Sequence, residues 1–241
     1  MNRNWIPAAI VAASSVVTGV ASAQEASAQD SVPPSDASEQ RARTLEPATH
    51  AVELTVGTGY SQGFGNVASG QPTLQDLATA GGAVQLGVGY RLIPQLTLGV
   101  YGSGSMFGRG GQVDPSAKLY TASAGVQADW HFLPARHEVD PWVSLGGGWR
   151  GYWNSMDQGT TSMQGLELAK AQVGVDYRVT SAVSISPVIG ADMSVFLTQQ
   201  AAGQNAWTNI SNPNVNTFVF GGLLGRFDVP TGSRSSQVAL Q

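Results

Sequence analysis

Hydrophobic and small residues alternate with a period of two through residues 81–107. Going in, Val84, Leu86, Val88, Tyr90 and Leu92 alternate with Ala83, Gln85, Gly87, Gly89 and Arg91; coming out, Leu96, Leu98 and Val100 alternate with Gln95, Thr97, Gly99, Tyr101 and Ser103. A period of two belongs to a strand, so the stretch reads as a β-hairpin turning at Leu92-Ile93-Pro94. Both arms exceed the usual strand of about five or six residues. The polar face is small and glycine-rich instead of lysine-rich.

The same alternation starts at His50 and recurs to Val229, giving about eight strands. Strand one, Val52 to Tyr60, sets Val52, Leu54, Val56 and Tyr60 against Glu53, Thr55, Gly57 and Gly59. Strand four, Leu119 to Phe132, sets Tyr120, Ala122, Ala124, Val126, Ala128, Trp130 and Phe132 against Thr121, Ser123, Gly125, Gln127, Asp129 and His131. Strand five opposes Val143, Leu145, Trp149 and Trp153 to Ser144, Gly146, Gly148, Arg150 and Tyr152. In strand six Lys170, Gln172, Gly174, Asp176 and Arg178 form the polar side, and in strand seven Ser184, Ser186, Gly190, Asp192 and Ser194. Pro187 interrupts strand seven, where a missing ladder bond predicts a bulge or irregularity. The last strand runs from Thr217 to Val229. Long polar connections are expected at 61–80, 108–118, 154–164 and 199–216, and shorter ones at 92–94, 133–140 and 180–181. Tight turns at one end and long loops at the other are the pattern of an up-and-down barrel.

Which face points outward decides between a membrane barrel and a soluble ligand-binding barrel of the lipocalin kind, because both alternate. Four features favour the membrane. Charged residues make up 12% of the 241-residue chain, about half the usual share, beside 42% apolar residues and 30 glycines. The polar face of Gly, Ser, Thr, Ala and Gln with isolated charges suits a crowded interior. Aromatic residues gather near strand ends, as in the two girdles of a bilayer-spanning barrel: Tyr60, Tyr90, Phe107, Tyr120, Trp130, Phe132, Trp142, Trp153, Tyr177, Phe196, Phe218 and Phe227. Strands of nine to eleven residues or more also match a hydrocarbon layer about 30 Å thick.

The N-terminal sequence points to export. Arg3 precedes an apolar run from Ile6 to Val20 and then Ala21-Ser22-Ala23, which reads as a signal peptide over 1–23 cleaved after Ala23. Residues 24–49 have no apolar period and are expected to be a disordered periplasmic leader. The barrel is placed at 50–229 and a C-terminal tail at 230–241.

With these features the chain resembles the small outer-membrane β-barrel superfamily, which includes the transmembrane domain of outer membrane protein A and the opacity-type proteins. The resemblance covers roughly His50 to Val229 and is architectural. It implies insertion into the outer membrane of a Gram-negative bacterium, with outer-membrane lipid and the barrel-assembly machinery as partners. The chain departs from the pattern in two ways: Phe227 is followed by a tail, and Gly225 stands where a hydrophobic residue is usual.

The inward charges Glu53, Arg91, Asp129, Arg150, Lys170, Asp176, Arg178, Asp192 and Arg226, with His131, are expected to form a polar network in the lumen, since an unpaired buried charge is costly. An alternative use of the same residues is a narrow conduit for ions or very small solutes, although an eight-stranded barrel is only wide enough for its own side chains. Catalysis is not expected. Among His50, His131 and His137 only His131 has an acidic neighbour, Asp129, on its own strand face, and no G-x-S-x-G element accompanies them. No cofactor or metal spacing is read; His137-Glu138 does not continue as H-E-x-x-H. The net charge of −4 and the lack of a basic patch argue against a nucleic-acid partner. An extracellular partner, if there is one, is expected at loops 61–80 and 199–216. The role is read as structural or one of surface interaction.

Overall fold

The structure is a computed structural model that describes residues 50–70, 72–111, 113–133 and 138–230. The expected signal peptide, the leader, His137 and the tail beyond Pro230 lie outside the described residues.

Alternation of the kind above leaves every second side chain on one face, and closing such a sheet on itself removes its edges. The long strands are β1 (Ala51–Phe64), β2 (Ala78–Ile93), β3 (Leu96–Arg109), β4 (Lys118–His131), β5 (Val139–Met156), β6 (Gly159–Thr180), β7 (Val183–Gln200) and β9 (Val215–Pro230). A two-residue strand, β8 (Thr208–Asn209), hangs on β7, and a short helix, α1 (Leu74–Leu77), precedes β2. Each long strand pairs antiparallel with its neighbour in sequence, and β1 pairs with β9, so the ring of eight closes. Starting at Glu53 and stepping through the paired residues Gly89, Gly99, Gln127, Gly146, Lys170, Asp192 and Phe218 returns to β1 at Gly63, ten residues on. Eight strands with that stagger, at ~3.3 Å per residue and ~4.7 Å between strands, tilt by about 40° and form a cylinder of roughly 8 Å radius. Side chains fill such a cylinder.

The apolar face lies outside. Leu86 is 54% exposed, Val126 65% and Leu145 62%, while Glu53, Arg91, Asp129 and Asp176 on the other face are all at 2% or less. An inward-facing ligand cavity of the soluble kind is thereby overturned.

Three sequence expectations change. The segment 154–164 is not a loop: β5 and β6 continue as a paired hairpin, with Trp153 opposite Ser162 and Ser155 opposite Thr160, around a turn at Asp157 and Gln158. Beyond the hydrocarbon both faces of a ladder can be polar, so alternation fades while pairing continues. Pro187 makes no bulge. The β6–β7 register reads Gly174 with Val188 and then Tyr177 with Ile185, with no slip between them. The slips of this ladder lie elsewhere: at Gln164/Gly165, where Leu197 of β7 is the extra residue, at Arg178/Thr180, and at Glu167/Ala169, where Leu168 and Ala169 both face outward. Loops 61–80 and 199–216 are shorter than expected, because β1 runs to Phe64, β2 starts at Ala78, β7 runs to Gln200 and β9 starts at Val215.

The first of these loops is folded. Thr73 caps α1, accepting the Asp76 N–H at 3.2 Å while Asp76 accepts the Thr73 N–H at 3.1 Å, a reciprocal capping box. Isolated bridges join Asn66 to Thr73 and Ala68 to Pro213. Val67, Ala68 and Leu74 are thereby turned inward, where they pack with Phe107, Leu119, Tyr152, Phe196, Ile210 and Phe218 into an apolar cap over the loop end of the lumen.

Candidate functional site

The strand faces that point inward build a lumen of three layers. Nearest the tight turns β1, β2, β4, β5, β6 and β9 contribute a buried charged cluster. Arg91 donates to Glu53 and, at 3.2 Å, to Asp228. Arg226 donates to the other oxygen of Glu53 at 2.5 Å and to Asp129 at 3.3 Å, and its guanidinium lies 4.2 Å above the Trp142 ring. His131 Nδ1 is 2.9 Å from Asp140 and 3.7 Å from Asp176, and Arg178 is 3.5 Å from Asp140.

A second cluster sits closer to the loops. Arg150 donates to Glu167 through Nε at 3.1 Å and through a terminal nitrogen at 2.6 Å, and to Asp192 at 2.6 Å. The Tyr101 hydroxyl donates to Glu167, and the Lys170 ammonium lies 3.5 Å over the Tyr101 ring. Gln127 joins the clusters, accepting from Lys170 at 3.1 Å and donating to Asp129 at 3.2 Å. Between them Gln85 and Gln172 exchange hydrogen bonds across the barrel. The third layer is the apolar cap, against which Arg150 stacks, 4.3 Å from the Phe218 ring. A cavity of about 10 Å³ beside Glu53, Thr97, Gln127 and Asp129 has room for one water.

All ten network residues named from the sequence point into this lumen. Nine are buried, and the Asp192 side chain is 15% exposed. The Asp129–His131 pair does not form: His131 takes Asp140 as its partner, and Asp129 goes to Arg226 and Gln127. Four participants escaped the sequence reading. Asp140 was assigned to a turn, although it opens β5. Glu167 has the wrong parity relative to Lys170, and only the bulge at Leu168 and Ala169 returns it to the inside. Asp228 falls inside the expected last strand but is not among the inward charges named, and Tyr101 is read as an ordinary inward side chain.

The aromatic girdles need a correction. Tyr60, Tyr90, Trp130, Phe132, Tyr177 and Phe227 are exposed, and Tyr120 and Trp153 are half-buried and paired across β4 and β5. Trp142 is not interfacial. It is 2% exposed, inside the barrel, and donates its indole N–H to Ser186 at 2.8 Å. Phe107, Phe196 and Phe218 are likewise internal, as parts of the cap. Outside the bilayer region, the Ser116 N–H and hydroxyl hold the Asp114 carboxyl below the usual carboxylate range.

A closed ring, a lipid-ready exterior between aromatic ends and a charged, filled interior decide the architecture. This is the fold of the small outer-membrane β-barrels. Among solved structures with the same fold, Neisserial surface protein A is 16% identical, with 73% of this chain and 96% of that chain covered and a TM-score of 0.47. AlkL, determined in lipid bilayers, is 11% identical, with 81% and 95% covered and a TM-score of 0.46. The N-terminal β-barrel domain of Pseudomonas aeruginosa OprF is 16% identical, with 75% and 98% covered and a TM-score of 0.44. Likeness at these identities does not bear on function. No protein-family model matches the chain, and no curated protein matches it.

Proposed function

We propose that the chain is exported by a signal peptide over 1–23, released after Ala23, and inserted in the outer membrane of a Gram-negative bacterium, where it serves a structural or surface-interaction role without catalysis. The observation that carries this reading is the combination of an apolar exterior with a lumen closed by ion pairs and an apolar cap. Among the described residues the lumen is filled by its own side chains, which supports a role at the loop end and the lipid-facing wall. Ala51 and Pro230, the first residue of β1 and the last of β9, are paired, which supports placing the leader 24–49 and the tail on the same side of the membrane. Both would enter the periplasm.

A narrow ion conduit is the second reading, and the continuity of polar contacts from Arg178 through Gln127 to Asp192 is its support. The apolar cap and the size of the cavity weigh against it. Cell fractionation with electrophoresis of heated and unheated samples tests the first reading: an outer-membrane fraction and a heat-dependent mobility shift are expected, and a soluble periplasmic protein without a shift overturns it. Planar-bilayer recording separates the two. No discrete conductance steps are expected, and reproducible steps would favour the conduit.

A further inference from the structure

Charge is not evenly balanced along the lumen. In the loop-side cluster two carboxylates, Glu167 and Asp192, face Arg150 and Lys170. In the turn-side cluster five carboxylates face three guanidinium groups among the described residues. A buried excess of two negative charges is expensive in a medium of low dielectric constant, and a protonated His131 would cancel only one of them.

The excess is also organised. Asp140 and Asp176 both turn Oδ2 toward His131 Nδ1, at 2.9 and 3.7 Å, and one donor atom from each of the three residues lies within 4.8 Å of the others. Their other oxygens are held from behind. Asp140 Oδ1 accepts the Leu133 N–H at 2.9 Å, and Asp176 Oδ1 lies 3.3 Å from Arg226 Nε. Neither Asp176 oxygen nor His131 Nε2 has a hydrogen bond, and all three residues are fully buried. Carboxylates braced on one oxygen and aimed with the other are the arrangement in which outer partners orient metal ligands.

We propose that His131, Asp140 and Asp176 form a divalent-cation site at the turn end of the lumen, binding Zn²⁺ or Mn²⁺ through one imidazole nitrogen and two carboxylate oxygens. Such ions accept this mixed nitrogen and oxygen set at about 2.0–2.2 Å, which places the donors roughly 3–3.6 Å apart. The two separations from His131 Nδ1, 2.9 and 3.7 Å, lie within about 0.1 Å of that range, and the two carboxylates lie within 4.8 Å of each other and have to close on the ion. A neutral imidazole would bind through Nδ1 and carry its proton on Nε2. One dication cancels the two-charge excess. Two arginines flank the site: Arg226, 3.3 Å from the Asp176 oxygen turned away from it, and Arg178, whose 3.5 Å contact to Asp140 Oδ2 the ion has to displace.

To test this, the untagged full chain is refolded in detergent, stripped with a chelator and dialysed against micromolar Zn²⁺ or Mn²⁺, and bound metal is counted by elemental analysis. One ion per folded chain is expected. His131→Gln and Asp176→Asn should each lose at least tenfold in affinity, while His50→Gln binds as the wild type does. No stoichiometric ion in the wild type, or unchanged binding by His131→Gln, overturns the site. Folding of each variant is checked by its heat-dependent mobility. Should a variant fail to fold, X-ray absorption on the Zn²⁺-loaded wild type replaces it: one imidazole with carboxylate oxygens supports the site, and two imidazoles overturn it.

Discussion

Glu53 is the residue on which the turn-side cluster turns, because its two oxygens accept from two different arginines, Arg91 and Arg226, and Thr97 lies 3.4 Å away. Arg91 keeps Asp228 and Arg226 keeps Asp129 when Glu53 is neutralised, so what is lost is the charge assistance of two buried hydrogen bonds, about 1.5–3 kcal/mol. Glu53→Gln keeps the shape and removes the charge, so a loss of that order is expected in urea-driven unfolding from lipid vesicles, read by tryptophan fluorescence. An unchanged midpoint would mean that water already screens the cluster. Gly174 has a different task. A Cβ there would meet the Trp142 ring at 2.5 Å and the Pro187 carbonyl oxygen at 2.9 Å, and the oxygen belongs to backbone that cannot swing aside. Gly174→Ala should therefore destabilise by about 1–3 kcal/mol, as overpacking does, and shift the emission of the buried indole. From the sequence Gly174 is one more small inward residue; nothing in a linear pattern says that a tryptophan from the neighbouring strand occupies its missing side chain.

Among the elements, the β5–β6 hairpin differs most from what its sequence suggests. A 14-residue strand tilted by about 40° already rises roughly 35 Å, enough for the hydrocarbon layer, so the 18 residues of β5 and 22 of β6 must project past it. Polar composition from Asn154 to Gln164 marks the exit from lipid, not the end of pairing. Excising residues 154–161 and joining Trp153 to Ser162 through a two-residue turn should leave the heat-dependent mobility shift intact. Loss of the shift would show that the projecting ladder is needed to close the ring. Strand β6 carries the second lesson of this scale. Its bulge turns two successive residues, Leu168 and Ala169, to the outside and brings Glu167 in to meet Arg150 and Tyr101. Parity counted from Lys170 puts Glu167 in the lipid. A bulge has no residue signature of its own, and the charge of Glu167 was the one available clue: a carboxylate on the lipid face would have been too costly.

For the whole molecule, orientation of the apolar face is the property with the largest consequence. Val88 lies at mid-strand, half exposed, beside Leu54 and Val100. Val88→Arg should cost about 2–4 kcal/mol in a bilayer, measurable as a shift in refolding equilibrium between lipid vesicles and urea. The same change would be nearly silent if Val88 faced water. The strand rhythm, the number of barrel strands and the outward face were legible in the sequence, because a period of two is imposed locally by the pleat and by the contrast between lipid and lumen. Register, bulges and closure were not, since they depend on how far each strand slides against a neighbour that can be more than a hundred residues away, as Glu53 does against Asp228. That slide of ten residues around the ring fixes which charges meet, joins His131 to Asp140 in preference to Asp129, and draws Trp142 off the interface into the lumen. It also folds two loops inward as a cap, because only the closed cylinder offers Leu74, Phe196 and Phe218 a common apolar space.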